Sequence, residues 1–278
     1  MLALRSCLLL SCLTAVPSLA LADHHEDSDD VPAVSSDPDG LVAVRRGIQG
    51  PAGLLSARVT LGINLSSDLV GKPISLAPDI YYAVTDRFQL GLVHDGPMRW
   101  QSRPGAGLCL TGQDGGCPHV YDNAGVDAML GLVYGNQLHL SAHGALYVTS
   151  FDAGTAMVAV GAAAKLHLGD ALALFADFQL GFFLDDRAVN DDGLFMPIEL
   201  QYQVGAPTTL KVLSGVSGSL SAFGDTVEVP LGLGLVRNLG EHLDVGARFS
   251  FDNLLGHQTD GVGRADARSL SFLLTMRR

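Results

Sequence analysis

This chain of 278 residues is short of several things, and each shortage excludes a class. Beyond residue 22 it holds no run of the roughly eighteen apolar residues that a membrane-spanning helix requires. Basic residues are outnumbered, 17 Lys and Arg against 29 Asp and Glu, and the formal net charge of −12 argues against nucleic acid as a partner. Catalytic and cofactor signatures are missing as well. Gly218 follows Ser217 directly, so no Gly-x-Ser-x-Gly elbow forms there, and His25-Glu26 lacks the second His of a His-Glu-x-x-His helix. Gly232 and Gly234 lie on an otherwise apolar strand with no helix to follow, which is no phosphate cradle. No cofactor is expected.

Cysteine is scarce too. Residues 1–22 read as a secretory signal, with Arg5 as its positive charge, Leu8, Leu9, Leu10, Leu13 and Val16 as its apolar core, and Ala20-Leu21-Ala22 as a small-x-small cleavage site before Asp23. A rival is a lipobox-like Leu9-Leu10-Ser11-Cys12, which would place a lipid on Cys12. With the signal go Cys7 and Cys12, leaving Cys109 and Cys117 in a Gly-rich loop. An even pair in an exported chain predicts a disulfide closing that loop. A metal site is the weaker reading, since His119 alone stands near, and none is expected. Residues 23–53 begin with the run Asp23-His24-His25-Glu26-Asp27 and are read as an acidic, disordered periplasmic arm. Its His24-His25 pair could hold a divalent metal loosely or be a solvated terminus.

What the chain does have is hydropathy spread thin: 47% hydrophobic residues, 33 Gly and a mean hydropathy of +0.28. From Leu54 onward, segments of alternating apolar and polar residues recur. Twelve strands are predicted, at 54–65, 74–85, 87–94, 124–134, 137–149, 156–168, 171–183, 194–204, 209–222, 226–237, 242–251 and 265–276. Asp86, Gly135-Asn136, Gly169-Asp170, Gly205 to Thr208 and Asn238 to Glu241 suit tight turns. The intervening connections are longer, except the ninth to tenth. Parity is consistent: Leu138, Leu140, Ala142 and Leu146 oppose His139, Ser141, His143 and Tyr147, and Leu172, Leu174, Phe178 and Leu180 oppose Asp177 and Gln179. Phe151, Phe182, Phe195, Phe223 and Phe251 at one end, and Tyr82, Phe88, Tyr134 and Tyr202 at the other, suggest two interfacial belts.

Over about residues 54–278 the chain resembles the bacterial outer-membrane β-barrel proteins. The resemblance implies an all-β fold, a transmembrane antiparallel up-and-down β-barrel of about twelve strands with short periplasmic turns and longer extracellular loops. It implies an integral outer-membrane location, contact with outer-membrane lipid and lipopolysaccharide, and insertion by the barrel-assembly machinery. One departure is visible. Such barrels end in an aromatic residue, whereas this chain ends Thr275-Met276-Arg277-Arg278, and Phe272 has the right parity six residues early.

The polar face is expected to line the lumen with Arg58, Lys165, Lys211 and Arg248 against Asp79, Asp127, Asp177, Glu199, Glu228 and Asp244, together with His139, His143 and His167. A pore or channel for small polar solutes is the first reading. The same groups could instead pair across the lumen, giving a closed structural or surface-interaction barrel. A third reading is a lipid-modifying enzyme built on His139, Ser141, His143 and His167, although Ser and His are ordinary lumen residues. The long connection 95–123 carries Arg99, Trp100, Arg103 and the cysteine pair. It is read as an extracellular loop for recognition or constriction, or as a surface loop stapled against proteolysis.

Overall fold

The computed structural model describes residues 42–66, 69–94, 96, 106–117, 119–185, 187, 190–257 and 265–278. The secretory signal, the arm through residue 41, and Arg99, Trp100 and Arg103 lie outside the described residues. The strands are β1 (Leu55–Asn64), β2 (Ile74–Thr85), β3 (Phe88–Val93), β4 (Gly107–Cys109), β5 (Tyr121–Asp122), β6 (Ala124–Tyr134), β7 (Leu138–Ser150), β8 (Thr155–His167), β9 (Leu172–Phe183), β10 (Gly193–Gly205), β11 (Thr208–Ser219), β12 (Leu231–Asn238), β13 (Leu243–Phe251) and β14 (Arg268–Arg277). All but β4 and β5 pair antiparallel with their neighbours in a twelve-stranded wall, and β1 pairs with both β14 and β2. The wall is therefore closed, and no strand edge is left open to lipid.

Period-two patterning gives this wall its two faces. Ile80, Tyr82, Leu90, Leu92, Val126, Leu130, Leu132, Val160, Leu233 and Leu235 are all exposed on the outside. Their neighbours Asp79, Tyr81, Asp127, Met129, Ser141, His143, Lys165 and Asp177 are buried on the inside. Apolar outside and polar inside inverts the soluble pattern; it is what a closed sheet surrounded by hydrocarbon requires.

Connections 86–87, 135–137, 168–171, 206–207 and 239–242 are tight and share one end with both chain termini of the barrel. At the other end the connections are 65–73, 94–123, 151–154, 184–192, 220–230 and 252–267. The tenth wall strand was placed at 226, but β12 begins at Leu231, and 220–230 is a longer connection holding the one-turn helix α1 (Phe223–Thr226). Pro230, which has no N–H to give to a ladder, ends the strand below it. Glu228, assigned to the lumen wall, consequently lies in this connection, where its backbone bridges that of Ser217. The tight exception among the long-end connections is instead 151–154.

Two members of the expected aromatic belts face inward. Phe195 packs against the interior cluster of Tyr81, Val93, Ala145, Tyr147, Met157 and Ala159. Tyr134 is turned by a bulge between Gly131 and Val133, which sets two consecutive residues facing out. Its ring then folds back over Gly131, where a Cβ would lie 2.1 Å from the ring. Only glycine leaves room for it.

Above the end of β3, β2 continues to pair with β4, and β4 with β5, so a small hairpin extends the wall. Cys109 and Cys117 form a disulfide across it, with Cα atoms 6.2 Å apart. The hairpin is fastened to neighbouring elements. His94 Nε2 lies 2.5 Å from Tyr121 Oη, the Tyr121 and Phe151 rings are 5.6 Å apart, and His119 Nδ1 lies 2.7 Å from Asp152 Oδ2. Burial pushes the Tyr121 phenol above its ordinary pKa.

Candidate functional site

The barrel interior is the site, and its most consequential occupant precedes the wall. Residues 42–53, the last part of the segment read as a disordered arm, are ordered. Ala43–Arg45 form a 3-10 turn and Val44 has no exposed surface. The segment lies in the short-turn end of the lumen and is gripped by wall side chains. Lys165 on β8 donates to the carbonyls of Ala43 (3.1 Å) and Arg46 (2.8 Å). Gln203 on β10 accepts from Val44 N at 3.4 Å, and Gln89 on β3 accepts from Gly50 N at 3.3 Å. Arg46 reaches Asp244 on β13 at 2.8 Å. Gln49 donates to Ser141 on β7 (2.8 Å) and accepts from Tyr134 on β6 (2.6 Å).

Strands β7 and β13 are six apart in the ring of twelve, so Arg46 and Gln49 are anchored on opposite walls. At a strand spacing of about 4.8 Å and a tilt near 40°, the barrel measures roughly 24 Å across its backbone. Three residues contribute at most about 10 Å of chain, and two long side chains reach the rest. Beyond the crossing, Gly53 adopts φ +83° and turns the chain into β1, with Ala52 N donating to Asp86 Oδ1 at 2.8 Å. That backbone angle is open to glycine at little cost.

Deeper in the lumen, ionisable groups cluster by strand. Asp127 on β6, His143 on β7 and Asp177 on β9 meet over the small residues Gly161 and Ala163 of β8. His143 Nδ1 lies 3.0 Å from Asp177 Oδ2 and Nε2 lies 3.5 Å from Asp127 Oδ2. Gln179 donates to Asp177 at 2.9 Å. On β1 and β2, Arg58 pairs with Asp79, which also accepts from His94 N at 2.8 Å, and the guanidinium lies over the Tyr81 ring. Lys211 on β11 meets Glu199 on β10 at 2.8 Å. Gly234 on β12 separates Lys211 from Arg248 on β13, its neighbours in register. Asp244 is held by Arg277 of β14 as well as by Arg46.

Of the residues read as lumen-lining, the barrel strands therefore bring Asp127, His143 and Asp177 into one cluster, Arg58 and Asp79 into another, and Glu199 and Lys211 into a third. His139 and His167 lie edge to face at the short-turn end, 5.2 Å apart. Glu228 lies in the β11–β12 connection, where its carboxylate accepts from Ser217 Oγ at 3.5 Å. Of the residues considered for an enzyme, Ser141 accepts from Gln49 and His143 is engaged by carboxylates. Among the described residues no group of three His, Cys, Asp or Glu is arranged to hold a metal. Sequence reasoning missed the crossing segment, Tyr134 and Gln203. A signal for the first was present: the acidic run gives way to Leu41-Val42-Ala43-Val44-Arg45-Arg46, apolar and basic rather than solvating.

No protein-family profile matches the sequence, and no curated protein is significantly similar to it. Solved structures are similar in fold. The NanC porin superposes with a TM-score of 0.56 at 6% identity, over 79% of this chain and 97% of that one. An outer membrane channel from Pseudomonas putida F1 gives 0.52 at 13% identity, over 88% and 99%. The KdgM porin in complex with disordered oligogalacturonate gives 0.51 at 6% identity, over 80% and 97%. The closed wall and its outward apolar belt make this chain a membrane-spanning β-barrel of twelve strands, with the fold of the outer-membrane porins.

Proposed function

We propose that the chain is an outer-membrane channel for small polar solutes, with charged lumen side chains setting its preference. The observation that carries this reading is the lining. Arg58, Lys211, Arg248 and Arg277 stand on the arc β11 to β1, through β14, and Asp79, Asp127 and Asp177 stand on the arc β2 to β9. Asp244 sits within the first arc, Lys165 within the second, and Glu199 on β10 between the two. A polar interior of this kind is costly unless it serves water and solutes, because apolar packing would stabilise a purely structural barrel with less desolvation. Charges of opposite sign on facing walls orient polar solutes and repel apolar ones. The similarity to porins and to a channel supports the reading.

The test is planar-bilayer conductance under a salt gradient, using folded protein in which residues 42–50 are replaced by a Gly-Ser sequence of equal length, so that the wall alone is measured. Discrete steps are expected, and Lys211→Glu or Arg248→Glu should shift the reversal potential toward cation selectivity. Silence from folded protein would refute the channel.

A further inference from the structure

The crossing segment is held in a way that resembles a bound ligand more than a terminus at rest. Four of its contacts are to main-chain groups: two carbonyls on Lys165, one amide on Gln203 and one on Gln89. The wall groups that make them are themselves positioned. Gln203 donates its amide N–H groups to the carbonyls of Gly205 (2.7 Å) and Ala206 (2.9 Å) in the β10–β11 turn, and its oxygen also accepts from Thr209 at 2.9 Å. That arrangement fixes the oxygen toward the lumen. Asp244 is held from behind by Arg277 and presents its carboxylate to Arg46. Tyr134 is aimed by the bulge at Gly131–Val133. Main-chain capture combined with charged anchors, here Arg46 on Asp244 and Arg45 on Asp170, is how proteins bind peptides.

We propose that the ring formed by Gln89, Tyr134, Ser141, Lys165, Gln203 and Asp244 is a peptide-binding site, occupied by the chain's own residues 42–50, and that its occupancy closes the channel at the short-turn end. The ligand class is a short peptide that begins in a 3-10 turn, with an Arg facing Asp244 and an amide side chain facing Ser141 and Tyr134. Tethering makes the resident segment a strong competitor, since a short linker supplies an effective concentration on the order of millimolar. A peptide in trans competes only when that segment is displaced or removed. This inference rests on the channel reading, because closure has a meaning only if the vacated lumen conducts.

The experiment compares wild-type protein with the equal-length Gly-Ser replacement of residues 42–50, both shown to be folded by heat-dependent gel mobility, in planar bilayers. The replacement is expected to conduct at least several-fold more than wild type. Adding the nonapeptide Val-Ala-Val-Arg-Arg-Gly-Ile-Gln-Gly at millimolar concentration on the short-turn side should block it, and Asp244→Asn in the same background should weaken the block about tenfold or more. Equal conductance of the two proteins would overturn the closure while leaving the channel standing. An opened replacement that the nonapeptide does not block, or blocks equally with Asp244→Asn, would overturn the binding site. Silence from the folded replacement would refute the channel reading itself, and this proposal with it. Lys165→Met in otherwise wild-type protein gives a second route: loosening the segment without deleting it should raise the frequency of open events.

Discussion

Val160 and Leu166 offer a depth gauge along one strand. Both belong to β8, face outward and are exposed, at 47% and 37%. Val160 sits near the middle of Thr155–His167 and Leu166 near its short-turn end. Six residues advance about 20 Å along a strand, which at a tilt near 40° is about 15 Å of depth. The apolar band of such barrels is about 25 Å tall, so if Val160 is near the midplane, Leu166 is at the interface. Val160→Arg should therefore cost about 2–4 kcal/mol and Leu166→Arg about 0–1 kcal/mol. The larger figure corresponds to a change of roughly 30- to 900-fold in the folding equilibrium. Reversible unfolding by denaturant in lipid vesicles, followed by tryptophan-independent far-UV dichroism and gel mobility, measures both. Equal costs at the two positions, or a neutral Val160→Arg, would refute the assignment of this face to lipid.

Other consequences follow from the interior and the loops. Leu213 is 1% exposed, faces inward and packs on Phe195, so Leu213→Ala should destabilise by about 2–5 kcal/mol in the same assay. Gly131→Ala drives a methyl into the Tyr134 ring and should cost about 1–3 kcal/mol; in a Tyr134→Ala background it should be nearly neutral, which a double-mutant cycle reads directly. Cys109 and Cys117 should resist alkylation until reductant is added, by mass spectrometry. Because their hairpin stands above the wall, reduction should leave the heat-dependent mobility of the barrel unchanged.

The wall was legible because its pattern is local. Each strand carries its own alternation, and turn residues such as Gly135-Asn136 and Gly169-Asp170 mark where it stops, so β6 to β9 fall within a residue or two of their expected bounds. Departures arose where one residue broke the period. The bulge before Val133 reversed the facing of Tyr134, and Pro230 cut the expected tenth wall strand at its start. The crossing segment was hidden for a different reason: its partners are distant in sequence, 198 residues separating Arg46 from Asp244 and 159 separating Val44 from Gln203. No short-range pattern encodes such contacts. The interior clusters were half legible, since parity puts Asp127, His143 and Asp177 on one face, but their meeting depends on Gly161 and Ala163 leaving space between them.

The most direct test of the account is the reversal potential of the folded protein with residues 42–50 replaced, measured under a salt gradient alongside its Arg248→Glu variant. Discrete conductance steps are expected in both, with a shift of the variant toward cation selectivity. Steps absent from folded protein, or a reversal potential indifferent to Arg248, would contradict it.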